Sequence, residues 1–275
     1  MKKYMRSTVV GTFGWLAVIG SVPIHQAHAQ HDTSAAFVPP IVFQAAGPTA
    51  ASIQSSVDAY RAALGATNNA NATGPLASGR REINWDGGST TNQNTAVAGN
   101  PFAGFQLTRG ALFTTPDGTG FVQAPPEGLA SLFNNPTYGA IFTAFSPLRL
   151  FSAIDGRITD VDFFVPGMSN LLARVTGFGA VFTDVDQPDG SRHGNRKAST
   201  RMDFFGADGE LLYSSAVPAS PGDGGLSFLG IVFEDARIAG VRITSGNVAP
   251  GPDDGRKQDV VVMDDFLYGE PQPLP

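Results

Sequence analysis

The sequence predicts a mainly β protein: an antiparallel two-sheet sandwich of jelly-roll type, preceded by one amphipathic helix. Three observations carry that prediction. Beyond residue 79 the apolar residues recur in short runs with a period of two, the runs are punctuated by Gly, Pro, Asp and Asn, and no long helical patterns alternate with them. Composition agrees with a folded chain. Of 275 residues, 42% are hydrophobic, with 20 Phe available for a core and a net charge of only −6, too apolar and too weakly charged for a disordered protein.

The first 29 residues read as an export signal. Lys2, Lys3 and Arg6 make a positive start, an apolar run spans 9–22, and Ala27-His28-Ala29 supplies the small-x-small cleavage pattern. That run falls short of the roughly 20 residues that span a bilayer, so the mature protein is expected in the periplasm or the medium with no integral membrane segment. Cleavage removes three positive charges and no negative ones, deepening an acidic balance already unsuited to nucleic acid. It also removes His25 and His28, leaves His31 at the new terminus, and keeps only His193 in the body. With no Cys at all, disulfides, thiolate metal sites and a thiol nucleophile are excluded, and a His-rich zinc site nearly so.

Residues 30–78 form an N-terminal arm and helix. The stretch 30–48 is rich in Pro and Ala and reads as a linker. A helix follows, capped by Thr49 or Ser52, with Ile53, Val57, Tyr60 and Leu64 on one face and Gly65 at its end. Residues 66–79 have loop composition. The sandwich is expected over 79–270, before a short tail at 271–275. Its strands are expected near 81–85, 104–107, 111–114, 141–144, 149–152, 158–165, 172–183, 200–205, 210–214, 226–233, 237–244 and 259–268, with a short helix near 127–133. Gly206-Ala207-Asp208-Gly209 suits a hairpin turn. The run 226–233 is apolar on both parities, so it needs cover on its outer side, and the helix face just named is expected to supply it.

Two stretches concentrate chemistry. The first, 79–88, holds Trp85 and Asp86. The second, 259–268, carries adjacent Asp264 and Asp265 inside an apolar strand. Strict alternation puts one of that pair among Val260, Val262 and Phe266 and the other among Val261, Met263 and Leu267. Whichever face is the core, one carboxylate has apolar company, and it must then be paired, hydrogen-bonded or bound to a cation. First and last strands of sandwiches often lie close, so Asp86, Asp264 and Asp265 are expected to converge. Hard oxygen ligands without Cys or His suit calcium; the competing reading is backbone N–H donation or pairing with Arg81 or Arg242. A second acidic cluster, Asp184, Asp186 and Asp189, precedes a loop with Arg192, His193, Arg196 and Lys197. It reads either as a further calcium site at Asp184 and Asp186 or as a solvated salt-bridge loop. Asp253-Asp254 reads as a turn.

The ordered motifs GRREINWDG at 79–87, Phe145-Ser146-Pro147, the stretch 163–167, GFGAVFTDVD at 177–186, the run 226–233, the stretch 242–247 and VVVMDDF at 260–266 together resemble a family of uncharacterised exported bacterial β-sandwich proteins. The likeness covers about 79–270. The chain is also broadly similar to ectodomains that carry the PEP-CTERM sorting signal, but ends Gln272-Pro273-Leu274-Pro275 instead of in a sorting tail. The resemblance implies fold and export, and no activity.

There is no Gly-x-Ser-x-Gly elbow, phosphate loop or dinucleotide fingerprint. The function expected is therefore a secreted non-catalytic binding module for carbohydrate or extracellular matrix, with a structural calcium ion. Trp85, Tyr138 and Tyr213 are candidate stacking residues, although a single Trp in a β protein is more often core. The alternative is an extracellular hydrolase or lyase acting on a polysaccharide, with Asp86, Asp264 or Asp265 as acid and base.

Overall fold

The structure, a computed structural model, describes residues 38–87, 94–186, 200–255 and 257–275. The export signal, His31, Asp189, Arg192, His193, Arg196 and Lys197 lie outside the described residues. In chain order the elements are β1 (Ile41–Gly47), α1 (Ala50–Leu64), β2 (Arg80–Ile83), β3 (Ala96–Gly99), β4 (Phe102–Phe105), α2 (Gln106–Arg109), β5 (Ala111–Thr114), β6 (Gly120–Ala124), α3 (Pro126–Leu132) and α4 (Tyr138–Ile141). There follow β7 (Leu150–Ile154), β8 (Ile158–Val165), β9 (Met168–Arg174), β10 (Gly177–Thr183), β11 (Arg201–Phe205), β12 (Leu211–Ala216), β13 (Leu226–Val232), β14 (Gly240–Thr244), β15 (Val262–Gly269) and β16 (Gln272–Pro273).

From β7 onward the chain passes back and forth between two antiparallel sheets. One contains β7-β15-β10-β13 in that order, the other β8-β14-β11-β12, the nested Greek-key connectivity of a jelly roll. Extra strands widen the first sheet: β1 beyond β13, β6 and β3 beyond β7, and β2 beside β15. The second sheet is widened by β5, β4 and β9. Between the sheets lies an aromatic core in which the Trp85 ring stacks on Phe151 at 3.7 Å and meets Phe266 edge-on at 5.0 Å. No described helix is long and apolar enough to cross a membrane.

The both-parity run of β13 is explained as expected. Leu229 and Ile231 enter the inter-sheet core, while Leu226 and Phe228 meet Ile53, Val57, Tyr60 and Leu64 of α1 on the outer face. Each such buried side chain contributes about 1.5–3 kcal/mol. Two cross-strand glycines make the helix fit. Gly179 and Gly230 pair directly and leave a slot for the Tyr60 ring, whose hydroxyl donates to the Ile231 carbonyl at 3.2 Å. A Cβ at Gly230 would stand 2.8 Å from that ring.

Other expectations change. The segment 30–48 is not wholly linker, because from Ile41 it forms β1, a strand whose only ladder among the described residues is to β13; its half-exposed alternation hid it among prolines. The strand expected at 141–144 is instead the end of α4 and a loop. The run 172–183 splits into β9 and β10, with Val175 diverted into a bridge to Ile238. β3 and β6 were absent from the sequence reading.

Gly230→Ala is expected to lose about 1–3 kcal/mol through overpacking, and to be nearly neutral in a Tyr60→Ala background. A double-mutant cycle from urea unfolding measures this; equal costs in both backgrounds would mean that the ring does not define the slot.

Candidate functional site

The strand holding Asp264 and Asp265 does not alternate strictly. Opposite β10, Ala180 pairs with Phe266 and Phe182 with Met263, so Val181 faces two residues and β15 carries a bulge at Asp264-Asp265. Met263 and Phe266 both enter the inter-sheet core, while Val260 and Val262 pack in one outer cluster and Leu267 in another. Both carboxylates therefore leave by the outer face. This corrects the choice that alternation imposed on the sequence reading.

They meet the loop leading into β7. Asp264 Oδ2 accepts the backbone N–H groups of Phe145 at 2.6 Å and Ser146 at 3.3 Å. The Ser146 hydroxyl donates to Asp265 Oδ1 at 2.6 Å, and Arg61 of α1 donates to Asp265 Oδ2 at 3.5 Å. Asp86 completes the grip, its Oδ1 accepting the N–H groups of Leu148 at 2.5 Å and Arg149 at 2.9 Å. Trp85 takes a positive φ of 65° just before Asp86 and is held by its stacking and by the indole N–H, which donates to the Asp264 carbonyl at 3.0 Å. Asp86, Asp264 and Asp265 thus converge, as expected from strand placement, on a backbone segment. Neither Arg81 nor Arg242 is their partner. Arg81 forms a buried bidentate pair with Glu270 at 2.7 Å, and Arg242 pairs with Asp160.

Burial, then the adjacent Asp265 charge, pushes the Asp264 carboxyl well above the ordinary carboxylate range. Burial also raises Asp265 and Asp86. One serine proton serves Asp265, and a protonated Asp264 can donate in return to the Ser146 oxygen 3.4 Å from its Oδ1.

The second acidic cluster is built differently. Just past β10, Asp184 adopts a left-handed φ of 68°, which Asp enters more readily than most residues with a Cβ, and its N–H donates to the Gly225 carbonyl at 2.8 Å. Its side chain turns inward with only 1% exposure, yet neither carboxylate oxygen has a hydrogen-bond partner. Burial, followed by the fields of Asp254, Asp186, Asp223 and Asp259, pushes its pKa up to about 9. Asp186 Oδ1 accepts the Gly222 N–H at 2.8 Å, and Asp254 Oδ1 the Val260 N–H at 2.8 Å. Asp223, Asp253 and Asp254 also line an open cavity of about 340 Å³. The sequence reading took Asp254 for a simple turn residue and passed over Asp223. Among the described residues no three Asp, Glu or His side chains are already gathered into a metal-ligating group.

A third feature was not foreseen. On the second sheet a groove of about 460 Å³ is lined by Thr114, Asp160, Asp162, Leu172, Phe205 and Arg242, among others. Arg242 grips Asp160 with two hydrogen bonds of 2.7 Å. Asp162 is raised by desolvation and then by the Asp160 charge.

None of the three aromatics expected to stack on a ligand lines this groove. Trp85 is 1% exposed and spends both ring faces on the core. Tyr138 is buried, its hydroxyl donating to the Pro252 carbonyl at 2.8 Å and accepting the Gly251 N–H at 2.6 Å. Tyr213 is half-buried and packs against the inter-sheet core. The groove residues have only the alternation of Asp160 and Asp162 as a sequence signal, and strand register decides which side of the sheet they take.

The clamp has a pH signature. With a raised folded-state pKa, Asp264 stabilises the fold fully below the unfolded value of about 3.9, and that contribution is lost as pH climbs toward the folded value. Asp264→Asn keeps an acceptor for the two N–H groups and has no proton to lose. It is expected to lie within about 1 kcal/mol of wild type near pH 5 and to gain on it as pH rises, whereas Asp264→Ala orphans buried donors at about 1–3 kcal/mol each. Denaturant unfolding from pH 4 to 9 reads both; parallel wild-type and Asn profiles would refute the raised pKa. Comparison with family models, curated proteins and solved structures finds no match, so the reading of these sites rests on their own geometry.

Proposed function

We propose that this chain is an exported, non-catalytic binding module whose ligand, a carbohydrate or matrix polysaccharide, lies along the groove of the second sheet. The single observation that supports this most is the groove's mixed lining. Asp160, Asp162 and Arg242 offer fixed acceptors and donors for hydroxyls, while Phe205 and Leu172 offer apolar surface to the C–H faces of a sugar ring. The Asp160–Arg242 pair is held bidentately before any ligand arrives, which reduces the ordering cost of binding. Export rests on the pattern of residues 1–29, and the acidic balance disfavours nucleic acid.

A hydrolytic reading has one observation in its favour. Asp160 and Asp162 both line the groove, two residues apart on β8 and so on one side of that strand, and a pair of carboxyl groups is what glycoside hydrolysis uses. Burial, then the Asp160 charge, raises the Asp162 carboxyl, as a general acid requires.

Affinity electrophoresis against a panel of neutral and acidic polysaccharides tests both readings. Retardation by at least one polymer is expected, with Phe205→Ala and Arg242→Ala each weakening it about tenfold, a loss of about 1.4 kcal/mol, and no reducing ends released. No retardation across the panel would remove the binding reading. Release of reducing ends that disappears in Asp162→Asn would replace it with the hydrolase.

A further inference from the structure

We infer that Asp184 anchors a calcium site that ties the end of β10 to the 220–225 connection and to the 253–260 segment before β15. The inference goes beyond the proposed glycan module and shares no residue with its groove.

Two independent observations carry it. The first is an acidic cluster: Asp184 N–H donates to the Gly225 carbonyl, Asp186 accepts the Gly222 N–H and donates its own N–H to Asp259 Oδ1, and Asp254 accepts the Val260 N–H, so that among the described residues the charges acting most strongly on Asp184 are those of Asp254, Asp186, Asp223 and Asp259. The second is that Asp184 is 1% exposed with both carboxylate oxygens unpartnered. Protonation alone does not resolve the second observation. A neutral acid in that position still presents a hydroxyl without an acceptor and a carbonyl without a donor, and buried polar atoms of native proteins are rarely left so. A cation supplies what both Asp184 oxygens lack.

The chemistry selects the ion. The donors are oxygens only, which suits a hard cation, and calcium accepts six to eight of them, backbone carbonyls and waters included. No tight group of three carboxylates is needed beforehand. Asp184 contributes two oxygens. Asp186 and Asp254, each anchored through Oδ1 to a backbone N–H, have Oδ2 to offer. An open cavity lined by Asp223, Asp253 and Asp254 gives water access on the Asp254 side.

The test uses the full chain as exported, stripped with EDTA and titrated with calcium chloride by isothermal calorimetry, with thermal unfolding alongside. One site is expected, with a melting temperature several degrees higher at saturating calcium. Asp184→Asn is expected to lose the heat and the shift, and to melt no lower than wild type in EDTA because it removes an uncompensated buried acid. Asp254→Asn, at a less buried position, is expected to weaken calcium at least tenfold, and it keeps the test decisive should Asp184→Asn fail to fold. Asp264→Asn, at the other carboxylate cluster, is expected to respond as wild type does. Absence of heat and shift in wild type, or an undiminished response in both the Asp184 and Asp254 variants, overturns the inference.

Discussion

Two adjacent carboxylates on one face of a buried strand are an expensive arrangement, and much of the structure is organised around satisfying it. The bulge at Asp264-Asp265 sends both side chains outward from β15, where each must find donors or lose the solvation it gave up. The donors come from the backbone of residues 145 and 146, the Ser146 hydroxyl and Arg61. Asp86 takes the next two N–H groups of the same loop. That loop is the lead-in to β7, so the first and last strands of the jelly roll are tied through side-chain oxygens as well as through the sheet. Arg61 also bonds Glu82 of β2 at 3.0 Å, which extends the tie to α1.

The inner face of the same bulge is bound to the aromatic core. Trp85 stacks on Phe151 and donates to the Asp264 carbonyl, so the ring that fills the sandwich also fixes the backbone at the point where the carboxylates diverge from it. On the outer face the paired glycines admit Tyr60 and let α1 lie close to β10 and β13. Dense packing and polar satisfaction thus constrain the same few residues from opposite sides of one sheet.

How much of this was legible in the sequence follows from what each feature depends on. Period-two runs bounded by turn residues identified most strands of the jelly roll, and the both-parity run of β13 correctly demanded an amphipathic cover. The expectation that the strand near 81–85 lies beside the last one was enough to bring Asp86 to Asp264 and Asp265, and β2 does pair with β15. The bulge was not legible, because nothing in Met263-Asp264-Asp265-Phe266 distinguishes a strand that alternates from one that skips. That slip of one residue decided which faces the carboxylates take. β1 escaped because an edge strand owes its conformation to its neighbour, here β13, more than to its own pattern. The stacking residues were misplaced for a related reason. Aromatic type says that a ring is large and apolar, while exposure is set by register and layer, which assigned Trp85 and Tyr138 to buried cores and left Phe205 beside the groove.

The two acidic clusters share a composition and differ in the one respect that bears on chemistry. At Asp86, Asp264 and Asp265 backbone N–H groups, a hydroxyl and an arginine point at the carboxylates, so the negative charge, or the proton that offsets it, is already accommodated by the protein. A cation there would have to displace those donors and release a loop that enters the first jelly-roll strand. At Asp184 the burial is as deep, but among the described residues no donor arrives, and the described charges that act on it most strongly have the same sign. The first arrangement is complete in itself. In the second a buried carboxylate is left without a hydrogen-bond partner among the described residues, which is the observation the calcium proposal rests on. Counting acidic residues makes the two clusters look alike. The partners of each carboxylate oxygen separate a satisfied structural clamp from a buried acid whose two oxygens have none.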